Sequence, residues 1–341
     1  MIKKLTTAVA VLAATSFVGT AAQAADKMPE QLNFGIISTE SSANLQKSFG
    51  PFLDDMAKFL KVKVKPFFAS DYAGVIEGMR FKKVDLAWFG NKSAIQAVDR
   101  AGGEVFAQTI KDNGDRGYHS LLITHKDSKL NSLQDVLSCD KSMTFGNGDP
   151  NSTSGFAIPG YYVWALNNKT PEECFKRVVN ANHETNALAV ANKKVDVATN
   201  NTESIYARLG KTNPKAAKNI KEIWRSPIIP SDPMVWRKEL PSSVKQQILF
   251  FFMQYGRFGD MEKVKRERKV LADLSDGWGP FLASSNAQLL DVRQIEAFKK
   301  KLKAQRNTKL SDADRAKAIK AADEELKMLK SFAEVVGKGG Y

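Results

Sequence analysis

The chain has 341 residues, 43% apolar and 26% charged, with a formal net charge of +14 at pH 7. That is the composition of an ordinary folded protein rather than a disordered one, and the length exceeds one compact domain and suits two. The basic balance invites a nucleic-acid partner, but much of it lies in "EKVKRERK" (262–269) and "KKKLKAQR" (299–306), among acids at helical spacing; solvated helix faces account for such runs without a groove for a phosphate backbone.

The first element is a signal peptide, residues 1–24. "MIKK" is basic, "LTTAVAVLAATSFVG" is a short apolar run, and "AAQA" ends in small residues at Ala22 and Ala24, which predicts cleavage near Ala24. The run is too short for a membrane span, and no later stretch approaches the roughly 18 apolar residues that one needs. Cleavage removes Lys3 and Lys4 and no acid, which lowers the formal charge from +14 to +12. In an oxidising compartment the only two cysteines, Cys139 and Cys174, imply one disulfide. His119, His125 and His183 have no metal-ligand spacing and there is no Cys-x-x-Cys, so neither a metal site nor a cofactor is expected.

From residue 31 the pattern alternates. "QLNFGIIS" reads as a strand, "SFGPFLDDMAKFL" as an amphipathic helix and "VKVKPFFA" as a strand. "AGVIEGMRFKK" (helix), "VDLAWFG" (strand), "NKSAIQAVDRAGG" (helix) and "EVFAQTI" (strand) follow. "YHSLLITHKDS" (118–128) is strand-like and suits a hinge crossing between lobes. A second series then runs "SMTFG", a helix from Ser152, "RVVNA", "ETNALAVANKK", "VDVATNN", "SIYARLG" and "NIKEIWRS". Strands alternating with helices imply an α/β fold with parallel sheets covered on both faces.

The two series are a repeat. "FKKVDLAWFG" (81–90) resembles "NKKVDVATNN" (192–201), with Lys82 on Lys193 and Asp85 on Asp196, an offset of 111. The same offset carries "NFG" (33–35) onto "TFG" (144–146) and Tyr72 onto His183. Cys139 and Cys174 precede strands 143–146 and 177–180, which as parallel neighbours would bring the two thiols together. In open parallel sheets ligands bind beyond the carboxyl ends of the strands. Those ends carry residues 38–42, Asp71 and Tyr72, "GNGDPNSTS", His183, residues 200–203 and the "PSDP" turn (230–233). The expected layout is lobe 1 from 25 to 118, lobe 2 from 119 to 230, a return to lobe 1 from 231 to 298, and a C-terminal helical extension from 299 to 341.

The stretch "FGNGDPNSTSGFAIPGYYVW" (145–164) holds the sharpest chemistry. Ser152, Thr153 and Ser154 disfavour a helix interior and favour a helix start, where unsatisfied N–H groups and the helix dipole attract an anion. Helix capping alone needs only one of the three. Pro159 should kink the helix beyond its first turn. The stretch is not a phosphate-binding P-loop, because no lysine follows Gly155.

"LNFGIISTESS", "SDYAGVIEGMRFKKVDLAWFGNKSA", "TFGNGDPNSTSGF" and "NHETNALAVANKKVDVATNNTE" resemble the phosphonate-binding periplasmic proteins of ABC importers, the 2-aminoethylphosphonate-binding type above all. The resemblance runs from about Leu32 to Ala297 and weakens in the last 40 residues. It implies a type II periplasmic-binding-protein fold, two α/β lobes closing on a ligand through a hinge. It also implies that Ser152, Thr153, Ser154, Tyr72 and His183 hold the phosphonate, that Glu203 and Asp232 hold the amine, and that Tyr118 lines the pocket. Taken singly, Tyr72 and Tyr118 read first as packing residues and Glu203 and Asp232 as solvated loop carboxylates; a lone histidine reads as structural, but the alignment of His183 with Tyr72 in the repeat favours a ligand contact. The implied partners are a small phosphonate and an inner-membrane ABC permease, in the periplasm, with no nucleic acid. A binder of phosphate, phosphite or another oxyanion is the alternative, and a phosphonate-processing enzyme using His183 as base lacks an apparent nucleophile–base pair.

The C-terminal "LSDADRAKAIKAADEELKMLKSFAEVV" opens on a Ser-x-x-Asp capping box at Ser311. Its stripe of Ile319, Ala322, Leu326, Leu329 and Ala333 either packs on the protein's own lobe or pairs with a second copy, leaving monomer and dimer both open.

Overall fold

The computed structural model describes residues 28–275 and 277–337, so the expected signal peptide and its cleavage site lie outside the described residues. β1 (Gln31–Ile36), α1 (Ser42–Leu60), β2 (Lys63–Phe67), α2 (Tyr72–Arg80), β3 (Leu86–Trp88), α3 (Asn91–Arg100) and β4 (Gly103–Gln108) alternate as the pattern requires. After β5 (Gly117–Tyr118) and β6 (Ser120–His125) come α4 (Leu133–Val136), β7 (Thr144–Gly148), π-helical turns at Thr153–Ala157 and Gly160–Ala165, and α5 (Pro171–Cys174). The second series continues with β8 (Arg177–Ala181), α6 (His183–Ala191), β9 (Val197–Asn201) and a third π turn at Glu203–Arg208. It ends with α7 (Leu209–Thr212), α8 (Pro214–Ala217) and β10 (Ile220–Arg225). The chain returns through β11 (Ile229–Pro230), β12 (Pro233–Arg237), α9 (Ser242–Gln254), α10 (Met261–Leu274) and β13 (Leu282–Ala283), then adds α11 (Leu290–Arg306) and α12 (Asp312–Gly337).

Two sheets result, β13-β4-β12-β3-β1-β2 in the first lobe and β10-β6-β9-β7-β8 in the second. Each is built on parallel pairs, β1 with β2 and β3, and β7 with β8 and β9. They are mixed rather than wholly parallel, because strands entering from the other lobe, β12 and β6, insert antiparallel. Where the chain crosses between lobes, β5 and β11 pair as a short antiparallel ribbon.

The sequence repeat is a repeat of backbone bonds. Asn33 N donates to the Asp85 carboxylate at 2.8 Å, and Thr144 N donates to the Asp196 carboxylate at 2.7 Å, tying β1 to β3 and β7 to β9 in the same way. Lys82 and Lys193 both adopt left-handed φ, 59° and 57°, in the turn before those strands. α2 is capped by Asp71 bonding Gly74 N, and α6 by Asn182 bonding Thr185 N, again 111 residues apart.

An aromatic cluster fills the first lobe. Phe49 stacks on Trp88 at 5.4 Å, Trp88 meets Trp278 edge-on at 5.5 Å, and Phe52 touches Phe251, Phe252, Tyr255 and Phe281. The second lobe buries Phe145, Trp164 and Phe175 on one side of its sheet, with Val190, Ala198 and Leu209 in a separate cluster.

α12 is N-capped at Ser311, whose Oγ accepts from Asp314 N. It packs on α11 through Leu326 and Leu329 against Leu290 and Ala297, so the apolar stripe meets the chain's own preceding helix. α11 runs unbroken through the expected boundary at 298–299 and touches both lobes: Arg293 grips Asp99 of α3, and Arg306 donates to the Asn168 carbonyl.

Cys139 and Cys174 are joined in a disulfide where the chain enters β7 and β8, at the sheet end away from the ligand-side loops. Native protein should therefore titrate no thiol, and two after denaturing reduction. Cys174→Ser should lower stability by about 2–4 kcal/mol in thermal unfolding while leaving ligand affinity within a factor of two; a free thiol in the native protein contradicts the bond.

Candidate functional site

Loops at the carboxyl ends of both sheets enclose a small cavity between the lobes. The eight expected residues, Ser152, Thr153, Ser154, Tyr72, His183, Glu203, Asp232 and Tyr118, all line it. Ile37, Thr39, Trp88, Gly90, Asn201 and Arg208 complete the wall.

One end of the cavity is a helix tip. Ser152 caps it, its Oγ accepting from Gly155 N at 3.0 Å. The turn is a π turn rather than the expected α-helix: Ala157 N donates to Ser152 O five residues back. Pro159 supplies the reason, since it has no N–H and its ring excludes the i−4 carbonyl, so the coil widens ahead of it. A Cβ at Gly148 would lie 2.5 Å from the Gly155 backbone, which is why the tip can sit directly on the end of β7. Thr153 Oγ1 accepts from Lys92 N of α3 at 2.9 Å, and Ser154 Oγ accepts from Asn201 Nδ2 at 3.1 Å. All three hydroxyl oxygens thus accept within the protein, and Ser152 Oγ and Ser154 Oγ also lie 3.4 Å from His183 Nε2.

Asn201 fixes the state of His183. Its Oδ1 accepts from Ser204 N at 2.7 Å, so its Nδ2 is the atom 3.2 Å from His183 Nε2, which must accept. Burial, with Arg208 nearby, holds the imidazole down at about 3, hence neutral. His183 Nδ1 and Thr39 Oγ1 are buried with no hydrogen-bond partner among the described residues. Buried polar atoms are otherwise nearly always bonded, and both residues line this cavity.

The other end is acidic. Asp232 accepts from Trp88 Nε1 at 3.0 Å and from Tyr118 Oη at 2.9 Å. The wedging of Trp88 in the aromatic core holds that carboxylate in place. Burial pushes Asp232 well above the usual carboxylate range, and the neighbouring Glu203 adds to the shift. Burial likewise raises Tyr72 and Tyr118, which stay protonated. A Cβ at Gly90 would lie 3.0 Å from Thr153 Oγ1 and 3.8 Å from Asp232 Oδ1, so only about one small side chain separates the hydroxyl tip from the acid.

Arg208 and Trp88 are the functional-site residues that the sequence reading missed. Arg208 reaches across from the third π turn, its Nε 2.8 Å from Glu40 Oε1 of the first lobe. Nothing in "SIYARLG" marks it, and Trp88 reads simply as strand core. Thr39 and Asn201 fall in loops that the strand-end rule singles out, although without individual roles.

The strain on Asp232 is testable in the absence of ligand. Its raised folded value means the cost is absent below the unfolded value near 3.8 and grows as pH rises above it. Asp232→Asn removes the charge and still accepts from Trp88, so it should raise Tm by about 2–5 °C at pH 8, roughly 1–3 kcal/mol, and by little at pH 4. An unchanged or lower Tm at pH 8 contradicts a strained acid.

Residues 34–289 match the family described as the periplasmic substrate-binding protein of phosphonate ABC transporters, about three quarters of the chain. The phosphonates-binding periplasmic protein of Escherichia coli K12 is 55% identical over 291 residues, 85% of this chain and 83% of its own. A binding protein component of an ABC phosphonate transporter from Pseudomonas aeruginosa superposes with a TM-score of 0.84 at 54% identity, covering 89% of this chain and 98% of that one. Prochlorococcus marinus PhnD1, solved with methylphosphonate, shares the fold at 22% identity and a TM-score of 0.67, covering 79% of this chain and 97% of that one. The fold is that of the periplasmic binding proteins, and the family consists of transport components, not enzymes. The chain belongs to the periplasmic phosphonate-binding proteins of ABC transporters.

Proposed function

We propose that this protein captures 2-aminoethylphosphonate in the periplasm, after export and cleavage near Ala24, and presents it closed to a membrane permease. The observation that carries the choice of ligand is the pair of buried acids, Glu203 and Asp232, beside a tip of hydroxyls and backbone N–H groups. A tetrahedral oxyanion suits the tip at Ser152, Thr153 and Ser154, with Tyr72 and His183 as further contacts. An ammonium suits the acids, because a cation offsets the burial that chiefly raises Asp232 and the like charge of Glu203 that adds to it. Tyr118 lines the pocket and orients Asp232. Residues 119–230 would move as one lobe against the segments 25–118 and 231–298, with the β5–β11 ribbon as hinge.

Six or seven charge-assisted hydrogen bonds at roughly 1.5–3 kcal/mol each offset association costs of about 4–15 kcal/mol and leave micromolar to nanomolar binding. Calorimetry with 2-aminoethylphosphonate, methylphosphonate and phosphate should rank the amine-bearing ligand first. Glu203→Gln should erase its advantage, a loss of about 10- to 100-fold from one charge-assisted contact, while sparing methylphosphonate. Equal binding of phosphate and aminophosphonate would sink the selectivity and leave an oxyanion binder.

A further inference from the structure

The offset of 111 carries Ser41, Ser42 and Ala43 of the first lobe onto Ser152, Thr153 and Ser154 of the second. The two tips are built alike. Ser41 Oγ accepts from Asn44 N at 3.3 Å as Ser152 Oγ accepts from Gly155 N at 3.0 Å, again 111 residues apart. Ser41 has φ −59° and ψ 145°, and Ser152 has φ −75° and ψ 136°. α1 is 19 residues long, so its start carries the positive end of a full helix dipole.

What differs is the occupant. At the α1 tip a carboxylate from the opposite lobe is already in place: Glu184 Oε2 accepts from Ser41 N at 2.7 Å, and Oε1 accepts from Asn44 Nδ2 at 2.7 Å. Glu184 N in turn donates to Thr39 O at 3.2 Å. At the position equivalent to Glu184 the first lobe has Ala73, so nothing comparable reaches back toward the Ser152 tip from there.

We infer that Glu184 is a built-in anion, filling the first lobe's helix tip as the phosphonate fills the second's, and so latching the closed lobes over any ligand. Its three bonds join residues of different lobes and cannot survive their separation. They land on Thr39, Ser41 and Asn44, beside the Arg208–Glu40 ion pair, so the segment from Thr39 to the start of α1 is one seat of the second lobe. Glu184 itself does not line the cavity, and its role is positional: it holds closure and contacts no ligand.

The latch rests on the phosphonate occupying the Ser152 tip, but not on which phosphonate is preferred. Arg208 is the wrong residue to change, because removing it strands a buried Glu40 and confuses closure with folding. Glu184 is half-buried at the rim. The test is Glu184→Ala, with Glu184→Gln beside it, titrated with 2-aminoethylphosphonate and with methylphosphonate, with stopped-flow dissociation rates. For Glu184→Ala, both affinities should fall by the same factor, about tenfold for a charge-assisted contact at the rim, through faster dissociation. Glu184→Gln, which keeps an acceptor and loses the charge, should fall between Ala and wild type. Sodium formate should recover part of the loss in Glu184→Ala, and sodium chloride at equal ionic strength should not. Unchanged affinity in Glu184→Ala, or a loss confined to the aminated ligand, overturns the latch, as does an equal loss that formate leaves untouched. Because each factor compares variant with wild type on one ligand, the latch stands or falls separately from the preference between ligands.

Discussion

A carboxylate buried beside another carboxylate is stable only if something positive shares its surroundings, and the cleft is arranged around that constraint. Asp232 is held between Trp88 and Tyr118 and raised by burial and by Glu203. Arg208, the one cation in the cavity wall among the described residues, lies against Glu40. The aromatic core of the first lobe fixes Trp88 and hence the acid, so the interior of one lobe sets the electrostatics of a site between two. In the proposed function stability and binding are opposed: the features that strain the ligand-free protein are those that an ammonium would relieve.

The opposite end works by dipoles without formal charge. A π turn capped by Ser152 rests on β7 because Gly148 and Gly155 permit backbone contact. Its hydroxyl oxygens accept within the protein, and burial keeps His183 neutral. In the proposed function an anion at this end would meet groups that carry no charge to be desolvated, and an amine would meet the acids.

Duplication supplies two such tips and divergence gives them different work. The shared scaffold survives as bonds, Asp85 to Asn33 and Asp196 to Thr144, and as paired left-handed lysines at 82 and 193. One tip lines the cavity and the other receives Glu184. On the proposed reading, binding and closure would use the same physical device, a negative group at a helix start, once with a ligand and once with a side chain of the protein itself.

Much of this was legible in the sequence. Strand–helix alternation, the 111-residue repeat, the caps at Ser152 and Ser311 and the pairing of Cys139 with Cys174 all follow from short-range periodicity, capping chemistry or the parallel neighbours that the repeat implies. The site acids, taken singly, gained roles only from the family resemblance. What the tertiary structure alone decided are contacts between residues far apart in the chain: Trp88 with Asp232, 144 positions away, and Ser41 with Glu184, 143 away. Arg208, an unmarked arginine in a helical stretch, becomes a cavity residue only when the lobes meet. The π turn in place of an α-helix arises the same way, since Pro159 forbids the regular coil but the packing of the tip on β7 selects what replaces it. Local sequence fixes which groups stand at each strand end, and only closure decides which of them face one another.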